Sequence, residues 1–161
     1  MELPKVYLES SVISYLAARE RPNRDIIATA HQQITREWWE RRRKNFDLYV
    51  SVEVLNEIRR GNIDSAALRL AHVESLPILQ ADDQARALAA EILRTAAVPS
   101  KAAADAAHIA IATVNGMDFL LTWNCTHIAN GIVQRAVSRL SRAMGLEPPT
   151  IVTPEELMME A

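Results

Sequence analysis

The 161-residue chain contains one cysteine and four glycines, and only 5% of its residues are aromatic. A single thiol excludes a disulfide scaffold and any Cys₂His₂ or Cys₄ zinc site, and it fits a reducing, cytoplasmic setting. The few glycines form no GxxxxGK(S/T), GxGxxG or GxSxG pattern, and HExxH is absent too. Nucleoside triphosphate binding, dinucleotide binding and α/β-hydrolase chemistry therefore have no local support. Neither sign of charge dominates: 18 Lys and Arg against 20 Asp and Glu leave a net charge of −2. The chain is not a basic nucleic-acid coat, although a total says nothing about local patches. No apolar run approaches the roughly 18–20 residues of a membrane span, and MELPKVYLES does not read as a signal peptide, so no membrane association is expected. What is present is 49% hydrophobic residues, many of them alanine. That composition suits a helix-rich globular chain able to bury about two-thirds of its unfolded surface.

With no repeat, low-complexity tract or Pro/Gly/Ser linker, residues 1–161 read as a single domain. Residues 4–8 (PKVYL) form a β-rich run, and a serine at 10 or 11 is placed to cap a following helix. Ile27, Ala30, Ile34 and Trp38 make the apolar stripe of a long helix over 24–44. DLYVS (47–51) reads as a strand, followed by a helix that Gly61 stops. A helix over 63–75 leads to strand 76–80, and Asp82 or Asp83 caps a helix with Ala85, Leu88, Ile92 and Ala96 on one side. Ser100 is placed to cap a helix that runs to Asn115 and ends at Gly116. Strand 117–122 follows, then a helix over 127–144 with Val133, Ala136, Val137, Leu140 and Met144 inward. A last strand occupies 150–153, and Pro154 begins a terminal turn. Strands that alternate with helices and are nearly continuously apolar predict an α/β fold of three layers, with a mostly parallel central sheet of four to five strands.

In such sheets ligands bind outside the carboxyl ends of the strands, at a switch in strand order. Glu9 directly follows the first strand, and Thr122, Trp123 and Asn124 follow the strand FLL. Glu57 lies on the helix after the second strand, one turn beyond Glu53, and Asp105 lies near the start of the alanine-rich helix 101–115. Convergence of these positions gives three carboxylates, an amide oxygen and a hydroxyl. Such hard oxygen donors suit Mg²⁺ or Mn²⁺, which can orient water for attack on a phosphodiester. Taken singly, each has a structural reading: Glu57 as a solvated helix glutamate near Arg60, Asp105 as a favourable charge in a first helical turn, Asn124 as a turn or N-cap residue.

Four blocks in this order resemble the PIN-domain proteins, and within them the VapC-like ribonuclease toxins of toxin–antitoxin systems. They are VYLESSVISYL (6–16), VSVEVLNEIRRG (50–61), AAADAAHIAIATVNG (102–116) and FLLTWNCTHIANG (119–131). The resemblance implies a PIN-like domain and a Mg²⁺- or Mn²⁺-dependent endoribonuclease whose catalytic positions are Glu9, Glu57, Asp105 and Asn124. Of these, Glu9, Glu57 and Asp105 are the metal ligands it implies, with Ser10 and Thr122 as neighbouring hydroxyls. It also implies an antitoxin partner that covers the site. Two positions depart from the family pattern: Glu9 replaces the usual first aspartate, and Asn124 replaces the usual fourth one. Both changes motivate an alternative, a catalytically weak PIN-like module that binds RNA or protein.

Three further features complete the expectation. His108, three residues after Asp105, reads better as a hydrogen-bonding, half-buried histidine than as a metal ligand, whereas His127 is placed to touch a phosphate. Cys125, without a partner base, reads as a small buried residue rather than a nucleophile. No acidic residue occurs between Asn124 and Leu146, and Arg135, Arg139 and Arg142 recur there at spacings of four and three. That ridge, and RRRK at 41–44, are candidates for holding RNA phosphates, and the same surfaces suit a homodimer contact.

Overall fold

The computed structural model describes residues 1–19, 25–95, 99 and 102–158. Its described elements are β1 (Lys5–Leu8), α1 (Ser10–Ala17), α2 (Ile26–Arg41), β2 (Asp47–Ser51), α3 (Val52–Ile58), α4 (Ile63–Val73), β3 (Ile78–Leu79), α5 (Asp83–Thr95), α6 (Ala103–Val114), β4 (Phe119–Leu121), α7 (Gly131–Ala143) and β5 (Thr150–Val152). The five strands are all parallel and run in the order β3-β2-β1-β4-β5. Val6, Tyr7 and Leu8 of the central strand have no solvent exposure, although successive side chains point to opposite faces. Both faces of the sheet are therefore covered. On the helical layers, α1 packs on α2 and α4, and α5 packs on α6 and α7.

Strand order fixes where a site can form. From β1 the chain moves to β2 and β3 on one side and to β4 and β5 on the other. The switch lies at β1/β4, in register through Val6–Phe119, Tyr7–Leu120 and Leu8–Leu121. The carboxyl ends of these strands carry Glu9 and Thr122, and that of β2 carries Ser51.

Several boundaries differ from the sequence expectation, each for a local reason. The cap of α1 is Glu9 rather than a serine, its carboxylate accepting from Ser11 N. Of the expected stripe, Trp38 is fully buried and Ile34 half-buried, whereas Ile27 is 65% exposed and Ala30 is exposed; α2 buries Gln32 and Thr35 beside Trp38. Gln32 and Thr35 find partners there: Gln32 Nε2 donates to Ala18 O at 2.6 Å, and Thr35 Oγ1 donates to His31 O and accepts from Trp123 Nε1. Among the described residues α3 stops at Ile58, and Gly61 turns the chain with φ +86 two residues beyond the Arg59 cap. The edge strand β3 is two residues long, and β4 three. Asp82 caps α5 through Ala85 N. Ala96 and Ser100 lie outside the described residues, as does Arg24. The final long helix begins at 131, not 127, because residues 125–129 form turns and Asn130 caps α7. Met144 is exposed rather than inward, and Cys125 is exposed rather than buried. Among the described residues, no helix is long and apolar enough to cross a membrane.

Candidate functional site

Glu9 is only 5% exposed and is held by the ends of two strands. Its Oε2 accepts from Ser11 N at 2.8 Å; its Oε1 accepts from Ser11 Oγ and Thr122 Oγ1, both at 2.6 Å. Thr122 in turn accepts from Asn124 N at 2.9 Å, and Ser11 Oγ accepts from Trp123 N. The extra methylene of glutamate thus lets the side chain curl back onto the first turn of α1 while still reaching the end of β4. A carboxylate at a helix N-terminus is favoured by the unpaired N–H groups and the helix dipole.

Glu57 sits in the last turn of α3, where Ser10 Oγ donates to its Oε1 at 2.8 Å. The same oxygen is hydrogen-bonded by His108 Nε2. Burial alone would raise the Glu57 pKa, but hydrogen bonding and charge from His108, the Ser10 hydroxyl and the Arg60 charge hold it below the ordinary value. Burial opposes charge on His108 as well; the bond to Glu57 and the carboxylates of Glu9, Glu57 and Glu53 outweigh it and raise the imidazole. These carboxylates therefore act together on one buried ring. His108 is fully buried, beyond the half-burial its sequence position suggested.

Asp105 lies in the first turn of α6, one turn before His108. Its Oδ1 accepts from Asn124 Nδ2 at 3.1 Å and its Oδ2 from His127 Nδ1 at 2.9 Å. Asn124 Oδ1 meanwhile accepts from His127 N at 3.0 Å. Its partners thus fix the amide: a backbone N–H only donates, so the oxygen faces His127 and the NH₂ faces Asp105. His127 engages Asp105 directly with one nitrogen, leaving the other for different contacts.

The structure brings Ser10 to Glu57, Thr122 to Glu9, and both Asn124 and His127 to Asp105. Among the described residues, no three His, Cys, Asp or Glu side chains stand close enough together to enclose a cation. The donor chemistry nevertheless fits a hard divalent ion, since Mg²⁺ is commonly held by one or two carboxylates with water completing its shell. Sequence reasoning passed over Tyr7 and Ser51, which lie behind His108: Tyr7 Oη is 2.6 Å from both His108 Nδ1 and Ser51 Oγ. Tyrosine within an otherwise apolar central strand was the available signal.

The basic clusters are placed unequally. RRRK at 41–44 leads into the start of β2, at the amino edge of the sheet, so it lies a strand length (roughly 13–16 Å) from the acidic end. It is not beside the carboxylates, and Arg43 instead covers the ring of Trp39, 4.6 Å from its centroid. Arg135, Arg139 and Arg142 are all exposed on α7, which returns from the carboxyl end of β4 to the amino end of β5. Arg135 is thus nearest the acidic end, whereas Arg142 is farthest and faces Glu147 at 3.4 Å.

Comparison with solved structures identifies the architecture. VapC20 of Mycobacterium tuberculosis, described as a sarcin–ricin loop cleaving toxin, superposes with a TM-score of 0.57 at 16% identity, over 81% of this chain and 94% of that one. The chain has the PIN-domain fold. VapBC2 of Rickettsia felis, solved bound to a DNA fragment from its promoter, gives a TM-score of 0.58 at 14% identity, over 92% of this chain and 98% of that one. No family model matches the sequence, and no curated protein matches it. In this PIN fold, Glu9, Glu57, Asp105 and Asn124 all lie at the carboxyl end of the parallel sheet, beside the switch in strand order where ligands of such sheets bind.

Proposed function

We propose that this protein is a metal-dependent endoribonuclease that hydrolyses RNA phosphodiester bonds, the toxin of a toxin–antitoxin pair. What supports this reading is a fold shared with VapC toxins together with the sequence positions of Glu9 directly after β1, Glu57 on the helix after β2 and Asp105 at the start of α6. Ionised carboxylates repel one another, and a cation offsets that repulsion. Bound Mg²⁺ or Mn²⁺ supplies charge for the phosphoryl oxygens and lowers the pKa of water for attack on phosphorus. Glu57 and Asp105 would hold the ion. Glu9 fixes the ends of β1 and β4 relative to each other, and Asn124 and His127 keep the Asp105 carboxylate in one orientation. His127, 28% exposed at its side chain, has a second ring nitrogen able to meet a phosphate. Arg135 and Arg139 supply positive charge for the RNA backbone.

The VapBC2 neighbour supports an antitoxin as partner in this cytoplasmic reading, and a homodimer is part of the same proposal. One observation favours the alternative of an RNA- or protein-binding module: both oxygens of Glu9 are already engaged by Ser11 and Thr122, and both of Asp105 by Asn124 and His127. Cleavage of a structured RNA separates the two readings. Wild-type protein with MnCl₂ is expected to cut, EDTA to stop it, and Asp105→Asn to slow it at least 100-fold. RNA binding without cutting would establish the module, and wild-type-rate cleavage by Asp105→Asn would remove Asp105 from the site.

A further inference from the structure

Behind Glu57 a line of buried polar groups runs inward from the site: Glu57, His108, Tyr7, Ser51. The Glu57 side chain is 26% exposed and that of His108 not at all. Tyr7 and Ser51 are likewise fully buried. A carboxylate oxygen only accepts, so the hydrogen on its contact with His108 belongs to Nε2, in the neutral and the cationic ring alike. In the neutral ring Nδ1 then accepts, and Tyr7 O–H, 2.6 Å away, is the donor facing it. Ser51 Oγ already accepts from Val54 N at 3.2 Å as the cap of α3, which leaves its own hydrogen for Tyr7. With the ring neutral, each donor has one acceptor and the line runs towards Glu57; with the ring charged, Nδ1 donates to Tyr7 Oη and Nε2 still donates to Glu57, so the contact with Glu57 is the same in both states. Burial raises the Tyr7 hydroxyl well above its ordinary value, so the phenol keeps its proton.

The line ends on Oε1, the oxygen that Ser10 also meets, while Oε2 has no hydrogen bond among the described residues. One oxygen is therefore pinned from two directions and the other is left for a ligand. We propose that His108, braced by Tyr7 and Ser51, is a positioning residue that orients the Glu57 carboxylate toward the divalent cation. This rests on the metal-dependent reading given above. Outer groups that fix a ligating side chain typically change metal affinity 10–100-fold when removed, because the ligand must then be ordered by the ion itself.

Mn²⁺ titration by calorimetry, with the electron paramagnetic resonance of bound Mn²⁺ as a second readout, tests this on the full chain. His108→Leu is expected to weaken Kd about 10–100-fold and to broaden the bound-Mn²⁺ spectrum. His108→Gln, which restores an N–H at the ε position, is expected to recover most of that loss. Tyr7→Phe never touches Glu57, yet it is expected to weaken binding by about 3–10-fold through the ring it braces. Wild-type affinity in a folded His108→Leu overturns the positioning role, as does equal weakening by Gln and Leu. Should His108→Leu fail to fold, unchanged affinity in Tyr7→Phe overturns it alone. Failure of the wild-type protein to bind Mn²⁺ would instead overturn the metal-dependent reading itself.

Discussion

Asn124 presents its amide nitrogen, not its oxygen, to Asp105, with Nδ2 3.1 Å from Oδ1. The oxygen is committed to His127 N. In this arrangement Asn124 orients Asp105 and adds no negative charge to the acidic end. An aspartate at 124 would face Asp105 with like charge and without the donated hydrogen bond. Asn124→Asp is therefore expected to lower metal-free stability by about 1–2 kcal/mol and the melting temperature by roughly 2–8 °C. With MnCl₂ present, the variant should gain more in melting temperature than wild type, since a cation offsets the new repulsion. Equal gains would show that position 124 does not face the ion.

Thr122 ties two strand ends together, donating to Glu9 and accepting from Asn124 N. Thr122→Val keeps the shape but leaves the Asn124 N–H without its acceptor and removes one of the three donors to Glu9. An expected loss of about 2–3 kcal/mol follows, measurable by urea unfolding. A loss under 0.5 kcal/mol would mean the tie is not formed in solution.

Much of this was legible beforehand. The apolar runs of β1, β2 and β4 and the helices between them announce a parallel sheet, and the position of Glu9 just after β1 places it at the switch. Less legible were features that depend on partners distant in sequence. Gln32 and Thr35 are polar yet buried because Ala18 O and Trp123 Nε1 meet them, so the buried face of α2 keeps Trp38 of the apolar stripe but leaves Ile27 and Ala30 outside. The acceptor that the Asn124 amide nitrogen meets is Asp105, 19 residues away, and the partner behind the buried His108 is Tyr7, 101 residues away. Residue type and spacing name the groups at a site; they do not reveal which oxygen is already taken.

The Glu57–His108 pair gives stability a defined pH dependence. Glu57 lies below its ordinary value of 4.5, so its contribution is complete above that pH and is lost as pH falls through its lowered pKa. His108 lies above its ordinary 6.5, so its contribution is complete below 6.5 and is lost as pH rises through its raised pKa. The difference in unfolding free energy between wild type and Glu57→Gln, measured by urea in EDTA, should peak between about pH 5 and 6.5. A difference constant from pH 4 to 9 would contradict the pairing.

The course of α7 grades its arginines. In an Asp105→Asn background, Arg135→Ala is expected to weaken RNA binding about 3–10-fold and to reduce the salt slope by about one ion. Arg142→Ala, at the far end and paired with Glu147, should change it less than twofold. Filter binding at several KCl concentrations checks both, and equal effects would place the RNA along the whole helix rather than at its first turns.

The central claim is that Glu57 and Asp105 hold a divalent cation at the β1/β4 switch. A crystal soaked in MnCl₂, with diffraction recorded for the anomalous signal of manganese, tests it most directly. The account predicts an anomalous peak within coordination distance of both Glu57 and Asp105. A fully soaked crystal with no peak there, or with its manganese bound elsewhere, would contradict it.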